Sequence, residues 1–195
     1  MKNDFDEEKY DLGRMFGFAY GEKENGAVFS HMSVMYAKAL YKRGFVKEGH
    51  KVLEALLQQS MNSEISGIYP GIPEYFDSQG REKYSHLTGA ASWYMMTLIT
   101  EVYGFCGEQG DLCIAPKLRM EQFDEQGKIA AVFPFREQQF QVTYQNPGKK
   151  DYGCYDICEI VLDGKIIEIS KGQSVKIPFA ALEGTTEHTL NILLE

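Results

Sequence analysis

Apolar positions recur along this chain with two different periods, and the change between them organises everything else. In the first half Met32, Met35, Tyr36, Ala39 and Leu40 return at helical steps until Gly44 ends the pattern. A second helical run follows almost at once. Val46, Val52, Leu53, Leu56 and Leu57 line one side of it, with Lys47, Glu48, Lys51, Glu54 and Gln58 opposite. So short a connection predicts an antiparallel helical hairpin. A third helix is predicted from about Gly89 to Tyr103, apolar over most of its circumference through Ala90, Trp93, Tyr94, Met96, Leu98, Ile99 and Val102. Helices of that kind are buried among others.

After Gly110 the period becomes two. Ile129, Ala131, Phe133 and Phe135 alternate with their neighbours, as do Phe140, Val142 and Tyr144, and Arg136–Gln139 reads as the turn between these strands. Further strands are predicted at 155–162, at 165–169 beyond the Asp163-Gly164 turn, at Val175–Phe179 and at 188–194. The fold class expected is therefore α+β, with a helical segment over 1–110 and an antiparallel β-sandwich over 111–195. Between the second and third helices lies a long stretch, 62–87. It reads as a functional loop or as a loop with a short hairpin of its own.

Composition narrows the function classes. The chain has 195 residues and a formal net charge of -8, which argues against nonspecific nucleic-acid binding, since that requires basic patches. No apolar run is long enough for a membrane span, and the acidic start Met1–Glu8 does not read as a signal peptide. A cytoplasmic location is the expectation. Cys106, Cys113, Cys154 and Cys158 form no Cys-x-x-Cys pair and have no zinc-type spacing to a His. They read as reduced thiols, with a Cys154–Cys158 or Cys106–Cys113 disulfide as the lesser alternative, and no metal or organic cofactor is expected.

The chemistry of interest lies at two helix starts. Thr88 stands where a helix N-cap belongs and Gly89 at the first helical position, in Tyr84-Ser85-His86-Leu87-Thr88-Gly89-Ala90-Ala91-Ser92-Trp93. The first turn of a helix offers N–H donors and the positive end of the dipole, a setting that binds anions and phosphate above all. His31 opens the first helix, after the Asn25-Gly26 turn in Lys23-Glu24-Asn25-Gly26-Ala27-Val28-Phe29-Ser30-His31. Taken singly, Thr88 also reads as a plain helix cap and His31 as a capping or core histidine.

These two segments resemble the inverting disaccharide phosphorylases of glycoside hydrolase family ninety-four, the cellobiose phosphorylase type. Glu101-Val102-Tyr103-Gly104, Gly110-Asp111-Leu112-Cys113-Ile114-Ala115-Pro116-Lys117-Leu118 and Asp151-Tyr152-Gly153 continue the resemblance. It implies the terminal helices of an (α/α)6 barrel followed by a jelly-roll-like sandwich. It also implies that His31, Thr88 and Gly89 bind inorganic phosphate, the co-substrate, and that Lys23 lies near the acceptor sugar of a disaccharide. The family's catalytic acid has no counterpart in this sequence, so no catalytic residue is assigned. Asp77 and Glu74 are the nearest loop carboxylates. The resemblance thus implies the C-terminal part of such an enzyme, inactive alone, with the upstream barrel as partner or with a second copy. A glycan-binding module carrying Tyr69, Tyr75, Phe76 and Tyr84, and a purely structural remnant, are the alternatives.

Overall fold

The computed structural model describes residues 11–67, 71–85 and 89–195. The chain is mixed α+β and divides into two compact units between Thr97 and Leu98. In chain order the first unit holds β1 (Val28–Phe29), α1 (Ser30–Lys42), α2 (Val46–Met61), α3 (Ser63–Ser66), β2 (Tyr75–Phe76), β3 (Glu82–Lys83) and α4 (Ala90–Thr97). The second opens with a π-type turn, Leu98–Val102. It continues with β4 (Phe105–Glu108), β5 (Asp111–Ile114), β6 (Lys128–Phe135), β7 (Gln138–Gln145), β8 (Ile157–Leu162), β9 (Lys165–Ile167), β10 (Val175–Ile177) and β11 (Glu187–Leu194).

The helical hairpin read from the apolar period is present. Gly44 ends α1 in the left-handed conformation (φ 80°), and the N–H groups of Gly44 and Phe45 donate to Tyr41 O and Leu40 O. That pair of bonds is a Schellman motif, which satisfies carbonyls the helix end would leave open. The chain reverses there into α2. Val34, Ala37 and Tyr41 of α1 are fully buried, and Leu53 and Leu56 of α2 with Ala90 and Tyr94 of α4 complete the core of this unit. The predicted third helix is only eight residues of α-helix before the winding loosens at Leu98.

The stretch between α2 and α4 is not structureless. It carries α3 and a hairpin in which β2 pairs with both β3 and β1. The two-residue strand β1 runs straight into α1, and Ser30 N–H donates to Glu74 O just ahead of β2. This small sheet therefore fixes where α1 starts.

In the second unit β10-β5-β4 form one sheet and β6-β7-β11-β8-β9 another. Period-two burial selects Phe140, Val142 and Tyr144 of β7, Ile160 and Leu162 of β8, and Leu190, Ile192 and Leu194 of β11 for the interior. Phe105 of β4 stacks on Phe133 of β6 (4.9 Å between centroids) and lies 5.4 Å from Phe140 of β7. Among the described strands one pairing departs from the all-antiparallel expectation: β11 runs parallel to β7, from Glu187 opposite Gln139 to Leu193 opposite Gln145. The chain visits β8, β9 and β10 before β11 inserts between β7 and β8, and that long connection permits the parallel alignment. The β4–β5 hairpin falls where the sequence suggested only a helix end and a boundary. Gly104 (φ 64°) makes it possible, since a Cβ there would lie 2.0 Å from the Ala115 carbonyl group. Among the described residues no helix is long and apolar enough to cross a membrane.

The β8–β9 turn is fastened to β11 by Asp163. Its carboxylate accepts from Thr189 N–H (2.7 Å) and from the ring of buried His188 (2.7 Å), whose Nδ1 must carry the proton because a carboxylate only accepts. Burial alone would raise this carboxyl, but the Thr189 N–H and the His188 ring outweigh it and hold it below the usual carboxylate range. The latch is therefore complete above the unfolded pKa of about 3.9 and is lost as pH falls through the lower folded value. Asp163→Asn is expected to cost about 1–2 kcal/mol at pH 7, scaled down for the partial exposure of the carboxylate. Urea denaturation at pH 7 and at pH 3 checks this: the gap between variant and parent should narrow at the lower pH.

Candidate functional site

Two clusters hang on the β1–β2–β3 sheet of the first unit, and each contains a residue singled out from sequence. The first is at the start of α1. His31 is the second residue of that helix, and its ring lies against Gly89, immediately ahead of α4. A Cβ built on Gly89 would sit 3.0 Å from His31 Cε1, 3.2 Å from Nδ1 and 3.4 Å from Nε2. Two sequence segments more than fifty residues apart thus come together at this imidazole, which fills the space a side chain at position 89 would need. Trp93 packs on the same imidazole, its ring centroid 5.4 Å from that of His31. Gly89 and Trp93 are four residues apart, and Trp93 N–H donates to Gly89 O (3.0 Å), so one helical turn presents both to His31. Lys38, further along α1, places its ammonium 5.2 Å from the Trp93 ring.

The polar atoms at this junction are under-used. His31 Nε2 is buried and has no hydrogen-bond partner among the described residues, and the same is true of the neighbouring Ser30 Oγ. A buried imidazole nitrogen without a partner carries an unmet desolvation cost, roughly 1–3 kcal/mol. Such a group is a ready contact for a polar ligand. Thr88 and His86 lie outside the described residues.

The second cluster surrounds Lys23. This residue takes a left-handed conformation (φ 46°) at the corner of a turn closed by Asn25 N–H to Glu22 O (3.0 Å) and Gly21 N–H to Asn25 O (2.6 Å). Its ammonium sits 3.9 Å from the centre of the Tyr84 ring and 5.5 Å from that of Tyr75, with the Glu74 carboxylate 3.5 Å away. A cation against two aromatic faces is held by their quadrupoles as well as by the ion pair. Tyr75 O–H donates to Glu22 Oε2 (2.9 Å), and burial followed by that bond pushes its phenol well above the ordinary value. Tyr75 therefore stays a neutral donor at any physiological pH. The Phe29 ring, 5.4 Å from Tyr75, connects this aromatic group to the start of α1.

Asp77, one of the two loop carboxylates, is engaged in structure. It accepts from the backbone N–H groups of Gln79 and Arg81 and from Arg81 Nε (2.8 Å). Burial works to raise its carboxyl, yet the Arg81 and Gln79 bonds win and hold it low, so it remains ionised and closes the β2–β3 turn. A proton donor needs the opposite shift. Glu74 is the ion-pair partner of Lys23. A groove of about 620 Å³ lined by Glu24, Ala27, Phe29, Met32, Ser33 and Tyr36 runs past the start of α1.

The sequence singles out His31 and Gly89, and the resemblance adds Lys23; Trp93 reads there as core, and Tyr75 and Tyr84 as glycan-stacking candidates of the binding-module alternative rather than as neighbours of Lys23. The i, i+4 spacing of Gly89 and Trp93 is the signal that could have joined Trp93 to the site. No signal in the sequence pairs Tyr84 with Lys23, because the hairpin that folds one onto the other has strands of two residues.

Comparison of the chain with models of known protein families gives no match, and comparison with curated proteins gives none either.

Gly89→Ala tests the contact itself. The added methyl makes the imidazole give way by a few tenths of an ångström against Trp93, so the emission of Trp93, the single tryptophan, is expected to shift while the far-ultraviolet circular dichroism stays unchanged. Unaltered emission would mean that the ring is not held against this backbone.

Proposed function

We propose that this chain is the C-terminal portion of an inverting glycoside phosphorylase that cleaves a β-linked disaccharide with inorganic phosphate, yielding a sugar 1-phosphate and a free sugar. The observation that carries the reading is the His31 imidazole beside Gly89, with its buried Nε2 lacking a partner among the described residues. The sequence resemblance assigns phosphate to these same two positions and to Thr88. In this reading the helical unit closes an (α/α)6 barrel and the second unit is its jelly-roll-like sandwich. The exposed apolar side chains of the helices, among them Met32, Met35, Tyr36, Met61 and Met95, are what helices from a larger helical body would present.

The chemistry asks little of a general base. An inverting glycosidase activates water on the face opposite the leaving group, and phosphate, already an anionic nucleophile, takes the place of that water. The protein then has to orient the anion and offset its charge with preorganised donors. His31 Nε2–H, the N–H groups at the start of α4 and the Thr88 hydroxyl fill that role. Lys23, fixed on the Tyr84 ring, lies by the acceptor sugar. Asp77 is held ionised, so it is not the donor of the proton to the leaving oxygen, and in this reading the upstream barrel supplies that acid.

A glycan-binding module is the second reading, favoured by the Tyr75 and Tyr84 rings gathered at Lys23. Titration of isotope-labelled protein with phosphate separates the two by nuclear magnetic resonance. The phosphorylase reading expects saturable shifts at the Gly89 and Ala90 amides and the His31 ring, weakened about tenfold or more in His31→Ala, which corresponds to roughly 1.4 kcal/mol. If phosphate leaves those signals in place while cellobiose alone moves Tyr75 and Tyr84, the binding module replaces it. A further arm adds the upstream barrel portion of a cellobiose-phosphorylase-type enzyme and looks for phosphorolysis.

A further inference from the structure

The β4–β5 hairpin carries two thiols directly opposite one another, Cys106 and Cys113. Both are free thiols. The ladder fixes their spacing. Ala115 N–H donates to Gly104 O (2.8 Å), which makes that pair a hydrogen-bonded one. Alternation along an antiparallel ladder then makes Cys106 and Cys113 hydrogen-bonded as well, with Cα atoms roughly 5.5 Å apart, inside the span of about 4.4–6.8 Å that a disulfide bridges. Register places Lys176 of β10 opposite Cys113, and its ammonium pairs with Glu108 of β4 at 2.8 Å. Phe105, Leu112, Ile114, Val175 and Ile177 occupy the other face as core. The two sulfurs, a cation and a carboxylate therefore share one face of a small sheet.

We propose that Cys106 and Cys113 form a reversible thiol–disulfide site, closed by a low-molecular-weight disulfide of the glutathione class and reopened by the corresponding thiol. This inference stands on the second unit alone and draws nothing from the phosphate reading. Cys106 is the part-exposed partner and reacts first. Its thiolate attacks one sulfur of the small disulfide, forming a mixed disulfide and expelling one small thiolate. Cys113 then loses its proton to water, and its thiolate attacks Cys106 Sγ, expelling the second small thiolate. Two protein thiols are oxidised and one small disulfide is reduced to two thiols. Burial first, and then the adjacent Cys106 sulfur, push the Cys113 thiol up to about 11, while the Lys176 ammonium opposes them. The second step is accordingly the slow one. Opposite Cβ atoms in a ladder lie about 4.5–5.5 Å apart and those of a disulfide about 3.8 Å, so closure draws the strands together, which favours a bond that thiols can reopen.

The test oxidises the folded full chain with oxidised glutathione, quenches it with acid and cleaves after Glu108, between the two cysteines. The expected product is a linked pair of peptides, lighter by two hydrogens and separated by reductant, with Cys154 and Cys158 outside the bridge. Cys113→Ser should stop at one glutathione on Cys106. The proposal is overturned if the parent protein keeps both thiols free, carries glutathione on Cys106 without a link to Cys113, or links these cysteines to Cys154 or Cys158 while still folded.

Discussion

The contact on which the functional account depends is that of the His31 imidazole with the backbone of Gly89. It is a consequence of the small sheet before it. β1 is only two residues long, but its pairing with β2 and the Ser30-to-Glu74 hydrogen bond set the point at which α1 begins. A helix turns about 100° per residue, so a slip of one residue at that start would carry His31 away from α4. The packing of Val34, Ala37 and Tyr41 into the core then locks the rotation. The same sheet, through Tyr75, holds the turn that carries Lys23. One short framework thus orients both clusters.

The second unit obeys a different constraint. Its interior is filled by alternate residues of long strands, and its two sheets meet through the rings of Phe105, Phe133 and Phe140. Close backbone approach at Gly104 and Ala115 brings β4 and β5 into position for that stack. The opposite face of the same hairpin is left to polar and sulfur chemistry, which is why the two thiols, Lys176 and Glu108 come together there.

Much of this was legible in the sequence, and for identifiable reasons. α1 and α2 follow from an apolar stripe of period 3.6 ended by Gly44. The strands from Lys128 to Gln145 follow from strict alternation, with their turn tightened to Arg136-Glu137. The β4–β5 hairpin was hidden because its two strands are only four residues long, too short for a period of two to stand out; the length of α4 was overread because its apolar run continues past Thr97. The parallel alignment of β11 with β7 depends on chain path rather than local pattern. At the site, His31 and Gly89 were readable from residue type and position at helix starts. The Lys23–Tyr84 contact was not, because it depends on a hairpin whose strands are too short to carry a period.

The most direct measurement of the central claim is anomalous diffraction from crystals soaked in tungstate, a phosphate-shaped anion with a strong signal. The account predicts a peak within hydrogen-bond reach of His31 Nε2 and the Gly89 N–H, absent in His31→Ala. A well-ordered His31 with Nε2 bonded to a protein acceptor, and no peak beside it, would contradict the claim.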